Sequence, residues 1–179
     1  TIITPIALAD VIYFYNGSIT VNTVQQPMKI VVGNNGNVQG YISTNVPKSG
    51  DSFSTTIYIT NSSYAYFYNF TYLVVNTNGY IYIANVAYGY TGNSPIQNAW
   101  LVIQDQQGNF IGQFKIINNG NQNNPTNAIP VTANNKYVVS LVVQPYLPLP
   151  NPGIQVATIT LKLGFNTVNQ VTLPLPPVT

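Results

Sequence analysis

The sequence predicts an all-β fold, a β-sandwich of immunoglobulin-like architecture. Three observations predict it. Apolar residues alternate with a period of two, clusters of Gly, Asn and Pro recur every few positions, and no window reads as an amphipathic helix. Many short strands separated by such turns are the signature of two packed antiparallel sheets.

Composition narrows the function classes. The chain has 179 residues and is 45% hydrophobic, enough for one domain with a substantial core and too apolar for disorder. Only 4% of residues are charged, so neutral polar groups (Asn, Gln, Thr, Ser and Tyr hydroxyls) must carry solubility. The basic residues are all Lys, the acidic ones all Asp, and the net charge is +2. That balance gives no electrostatic footprint for nucleic acid or acidic lipid. No apolar run reaches the length of a membrane-spanning helix, so no membrane insertion of the chain is expected.

With no Cys there is no disulfide or thiolate site, and with no His the commonest base and metal ligand is missing. Asp10, Asp51 and Asp105 are the only acids, and no two are close in sequence. Each reads as a turn or edge residue rather than half of a catalytic pair. No G-x-S-x-G turn or phosphate-cradling loop is present. The expectation is therefore no enzyme, no metal and no cofactor. With three side-chain carboxylates to protonate and no His to charge, the fold is expected to be nearly indifferent to acid.

The first element is Thr1 to Tyr15 (TIITPIALADVIYFY), a largely apolar run in which Asp10 is the only charged side chain. A leader peptide would carry a basic region, and no Lys precedes Lys29. A pilin-type helical stalk would need about 20 apolar helix formers, whereas Pro5 and the β-branched Ile2, Ile3, Ile6, Val11 and Ile12 favour an extended strand. Ile2, Ile6 and Leu8 share one face of that strand, and Ile3 and Ala7 the other. Such a strand either completes its own sandwich or is donated to a neighbouring copy.

Asn16-Gly17 reads as a turn ending this segment. Ile19 to Val24 alternates as a strand, and Met28 to Val32 forms a hairpin with Val38 to Thr44 through Gly33–Asn37. Phe53 to Thr60 follows. Tyr64 to Val75 is the longest strand signal, and Asn78-Gly79 reads as its hairpin turn into Tyr80–Ala84. Ala99–Gln104 and Asn109–Ile117 flank the turn Asp105–Gly108. Asn118 to Asn127 reads as a loop, and Lys136–Val143, Ile154–Phe165 and Thr167–Leu173 as the last strands, with a Pro-rich connection at Pro145–Pro152. The Pro-rich tail after Leu173 cannot sit in a central strand.

Two further patterns bear on function. Three N-glycosylation sequons occur, at Asn16, Asn61 and Asn69, a weak signal in a chain so rich in Asn, Ser and Thr. In Tyr64–Tyr72 every even position is aromatic. That row is either a sugar-stacking platform or an aromatic wall on a core face, and the sequence favours the core wall. A glycan on Asn69 would point outward and turn the tyrosines inward. Lys162, alternating with Leu161, Leu163 and Phe165, is expected to point to solvent rather than form an isopeptide crosslink.

An apolar N-terminal strand, a disulfide-free Asn/Thr/Tyr-rich sandwich, few charges and several sequons together resemble the thread pilins of thermoacidophilic archaea. The resemblance covers the whole chain through composition and layout, without a diagnostic short motif. It implies an extracellular, cell-surface filament subunit, secreted after removal of a signal peptide and N-glycosylated. It also implies a homopolymer linked by donor strand complementation, as in chaperone–usher pilins, though without their disulfide. On this reading residues 1–15 are the donor strand, with Ile2, Ile3, Ile6, Leu8, Val11 and Ile12 as its buried set, and residues 16–179 are the pilin sandwich. A biofilm fibre would use the same linkage. The alternative is a monomeric surface adhesin or sugar-binding module that keeps the first strand in its own sheet.

Overall fold

The computed structural model describes residues 10–169. The protein is all-β, with twelve strands and no helix among the described residues. Strands β1 (Met28–Val32), β5 (Ala65–Val75), β11 (Asn135–Pro145), β7 (Ile96–Asp105), β8 (Phe110–Asn118) and β9 (Asn121–Gln122) form, in that spatial order, a six-stranded sheet. A second sheet has the order β10 (Ile129–Val131), β6 (Gly79–Tyr90), β12 (Ala157–Asn166). A small third sheet runs β2 (Asn37–Val38), β3 (Ile42–Asn45), β4 (Ser54–Ile57). All strand pairings among the described residues are antiparallel.

The first two sheets share one core. Leu73, Val75, Leu101, Ile103, Phe114, Val139 and Val143 come from one side, and Ile81, Ile83, Val86, Ile129 and Val131 from the other. The alternating patterns of β7 and β11 are what a sheet with one face on this core requires.

Several local readings of the sequence hold. The hairpin β7–β8 closes at Asp105–Gly108, where Gly108 takes φ +87° and its N–H bonds Asp105 O at 3.1 Å. Lys162 is exposed while its neighbours Leu161 and Leu163 pack on the core.

Others are corrected. Ile19–Val24 is not a strand, and Ile19, Val21 and Val24 are exposed. Asn16-Gly17 is not a turn. Met28–Val32 does not form a hairpin with Val38–Thr44; it pairs with β5, and β2 and β3 pair with each other. Nor do β5 and β6 form a hairpin, since Asn76–Asn78 crosses between the two main sheets. Gly79 is not in the left-handed region that such a turn needs. It is required instead by packing, because a Cβ there would lie 2.4 Å from the Phe165 ring and 2.6 Å from Asn166 O. Residues 167–169 are bends, and the rest of the expected strand Thr167–Leu173 lies outside the described residues.

Candidate functional site

The first half of the site is the N-terminal arm. Residues 10–25 belong to no strand and make no hydrogen bond to any described residue. Val11 and Ile12 are each 66% exposed, and Phe14 and Tyr15 are 86% and 90% exposed. An apolar stretch this open has no burial to offset its hydration cost. Ile2, Ile3, Ile6 and Leu8 lie outside the described residues. The arm is anchored where it meets the domain: Asn76 donates its N–H to Pro27 O at 2.8 Å and its Nδ2 to Gln26 O at 3.1 Å.

The second half is a rim of the core that is only half covered. Among the described residues β12 pairs with β6 alone, and no other described strand runs along its outer edge in that sheet. Its inward side chains Ile159, Leu161, Leu163 and Phe165 pack on the core yet stay half-buried, in contrast to the fully buried Ile81 and Val86 of β6. Phe53, Ile57 and Ile59, in and around β4, and Ala65 and Phe67 at the start of β5 share that intermediate state. A narrow apolar crevice lined by Ile30, Phe53, Leu73, Phe114, Val139 and Leu163 leads between the layers.

The tyrosine row is a correction. Tyr64, Tyr66 and Tyr68 are exposed, and Ala65 and Phe67 face the core. The expected core wall of tyrosines is therefore not formed, and the strand is interrupted at Asn69 by a β-bulge. Between Val139 and Leu141 of β11 the partner residues on β5 jump from Thr71 to Phe67, and Asn69 takes φ +53°. Asn69 is half-buried, with its Oδ1 buried and unpartnered. The Tyr66 and Tyr68 rings lie 6.2 Å apart but are tilted by 40°, so they do not form one flat stacking plane. Tyr66 continues across the sheet through Val142 and Trp100 to Lys115, whose Nζ sits 5.4 Å from the Trp100 ring centroid.

Of the other sequons, Asn16 is exposed on the arm, and Asn61 is exposed with its Oδ1 accepting Leu149 N–H at 2.8 Å. The three Asp residues sit on separate elements: Asp10 on the arm, Asp51 in the loop before β4, and Asp105 at the end of β7. Asp105 serves its turn. Its Oδ2 accepts Asn109 Nδ2, its Oδ1 accepts the N–H groups of Gln107 and Asn109, and these bonds hold its pKa below the usual carboxylate value. No group of three or more Asp, Glu, His or Cys could hold a metal among the described residues.

Sequence reasoning treated Asn118–Asn127 only as a loop, and missed that it is a seam between the sheets. Asn124 Oδ1 accepts Val86 N–H at 2.7 Å and Gln122 Oε1 accepts Tyr88 N–H at 3.2 Å, both from β6. Asn123 Nδ2 donates to Lys115 O at 2.6 Å, and Asn127 Nδ2 to Gln113 O at 3.0 Å, both on β8. Side-chain amides here replace the ladder of a strand, and the density of Asn was the available signal.

Neither a family model nor a curated protein matches this chain.

Proposed function

We propose that the protein is a structural subunit of an extracellular filament, an immunoglobulin-like sandwich completed by the N-terminal strand of the next copy. The observation that carries this reading is the pairing of an exposed apolar arm with a half-covered strand, β12, that has only β6 beside it among the described residues. The chemistry of the two halves is complementary. Nine residues, Thr1–Ala9, would reach about 30 Å as a strand, and the ten residues of β12 span about 33 Å. The donor alternates Ile2, Ile6 and Leu8 on one face, and β12 alternates Ile159, Leu161 and Leu163 on the side it would share. Asp10, the only charge before Lys29, falls just after that stretch. A homopolymer with N-linked glycans at the cell surface follows from the same reading, with no catalytic role.

The test is removal of residues 1–15. Full-length protein should form thin fibres in negative-stain images, and the truncated protein should not. A synthetic Thr1–Tyr15 peptide added to the truncated protein should raise its Tm, each ~1 kcal/mol of net binding giving roughly 2–4 °C for a domain of this size. A truncated protein that still polymerises, or a stable monomer indifferent to the peptide, defeats the proposal.

A further inference from the structure

Four Asn-Gly pairs occur in the chain: Asn16-Gly17, Asn35-Gly36, Asn78-Gly79 and Asn119-Gly120. This dipeptide is chemically special. The glycine amide nitrogen can attack the asparagine Cγ, because no side chain on the glycine obstructs the approach. The attack needs a free glycine N–H, a carboxamide able to rotate, and a backbone able to fold into a five-membered ring.

The fold denies these conditions at three of the pairs. Gly36 N–H is bonded to Gly33 O at 3.0 Å, and Asn35 N–H to Asn69 O at 3.1 Å. The Asn78 carboxamide is held by Ala133 N–H at 2.8 Å, and Gly79 lies in β6 opposite Val131, pressed against Phe165. Gly120 N–H is bonded to Gln97 O at 2.8 Å, and Asn119 N–H to Asn98 Oδ1 at 3.1 Å. At the fourth pair none of this applies. Asn16 and Gly17 are exposed, outside any strand, bonded to no described residue, and nothing lies within 4 Å of the position a Gly17 Cβ would take.

We propose that Asn16 is the intrinsic deamidation site of this protein, and that the folded domain protects the other three pairs. The Gly17 nitrogen forms a bond to Asn16 Cγ, the Cγ–Nδ2 bond breaks, and ammonia departs with the proton released from the Gly17 amide. Water then opens the succinimide at either carbonyl, giving Asp or isoaspartate, so that the net change is addition of water and loss of ammonia. No redox partner or enzyme is needed. The product carries a new carboxylate between the apolar stretches Val11–Tyr15 and Ile19–Val24, and isoaspartate adds a backbone carbon there. The first step needs a deprotonated amide, so the rate rises with pH and falls in acid. The inference is independent of the filament reading, since it needs only the free arm and the folded domain.

The test is incubation of full-length protein, made in a host that adds no glycans, at mildly alkaline pH and 37 °C, followed by peptide mapping with isoaspartate detection. Conversion at Asn16 is expected to run at least about tenfold ahead of Asn35, Asn78 and Asn119, because the latter react only through local opening. Gly17→Ala, placed where no neighbour is crowded, should slow Asn16 markedly and leave the other sites unchanged. In denaturant the four sites should converge. Conversion of any of the other three at a comparable rate in the folded protein, or an Asn16 no faster than in Gly17→Ala, overturns the proposal.

Discussion

The hydroxyl of Ser140, itself fully buried, accepts the backbone N–H of Asn69 at 2.9 Å. The bulge in β5 withdraws that N–H from the ladder to β11, and the serine supplies the missing acceptor. Ser140→Ala leaves a buried donor unsatisfied and should cost about 1–3 kcal/mol, read as a lower urea midpoint at unchanged m. An unchanged midpoint would mean that the bulge is held by other contacts.

Gly33 is the second support of the bulge. Its N–H bonds Phe70 O at 2.9 Å, and a Cβ at this position would lie 2.1 Å from Asn69 O. The clash is with backbone, which cannot swing aside as a side-chain tip could. Gly33→Ala should destabilise by ~1–3 kcal/mol, measured in the same urea titration.

The seam between the sheets makes an asymmetric prediction. Asn124 acts as an acceptor toward Val86, so Asn124→Asp keeps the bond and should change stability by less than about 0.5 kcal/mol. Asn123 acts as a donor toward Lys115 O, so Asn123→Asp sets a carboxylate against a carbonyl and should cost ~1–3 kcal/mol. Equal effects of the two changes in thermal melts would show that the amides do not play these separate roles.

The pH dependence follows from Asp105. The Asn109 side chain and nearby N–H groups lower its folded pKa, so its contribution is present above the ordinary carboxylate pKa. That contribution is lost as pH falls through the lowered folded value. Between pH 7 and about 4 the Tm should be flat as far as this group is concerned, with a shallow decline only in stronger acid. Asp105→Asn should remove that decline. A sharp loss of structure near pH 4 would contradict this account.

Local signals were legible in the sequence where the structure is itself local. The β7–β8 hairpin is made by Asp105 and Gly108 within the turn, and both announce it. Asn78-Gly79 gives the same signal for a different reason. Asn78 is engaged by Ala133, distant in sequence, and Gly79 is small because Phe165 and Asn166 pass over it. Nothing within the segment Tyr64–Ala84 records those partners, so a crossover between sheets reads as a hairpin. The tyrosine face was misjudged because a bulge stands inside the strand, at an Asn whose left-handed backbone no periodicity reveals. At the candidate site, the apolar arm was plain in the sequence. The half-covered edge of β12 was not, because alternation looks the same whether or not a strand lies alongside.

The anchor of the arm determines how the molecule carries load. Tension drawn along the arm enters through Gln26 and Pro27, where Asn76 grips two successive carbonyls, and passes directly into β1. β1 runs antiparallel to β5 over five paired residues, Met28 against Val75 through Val32 against Thr71. Force along the strand axis therefore loads those pairs together, in shear, rather than peeling them one at a time from an end. β5 passes the load on to β11 at the centre of the widest sheet. The arm thus joins the domain through the backbone of β1 and two bonds from one asparagine, at the end of the strand that meets Val75.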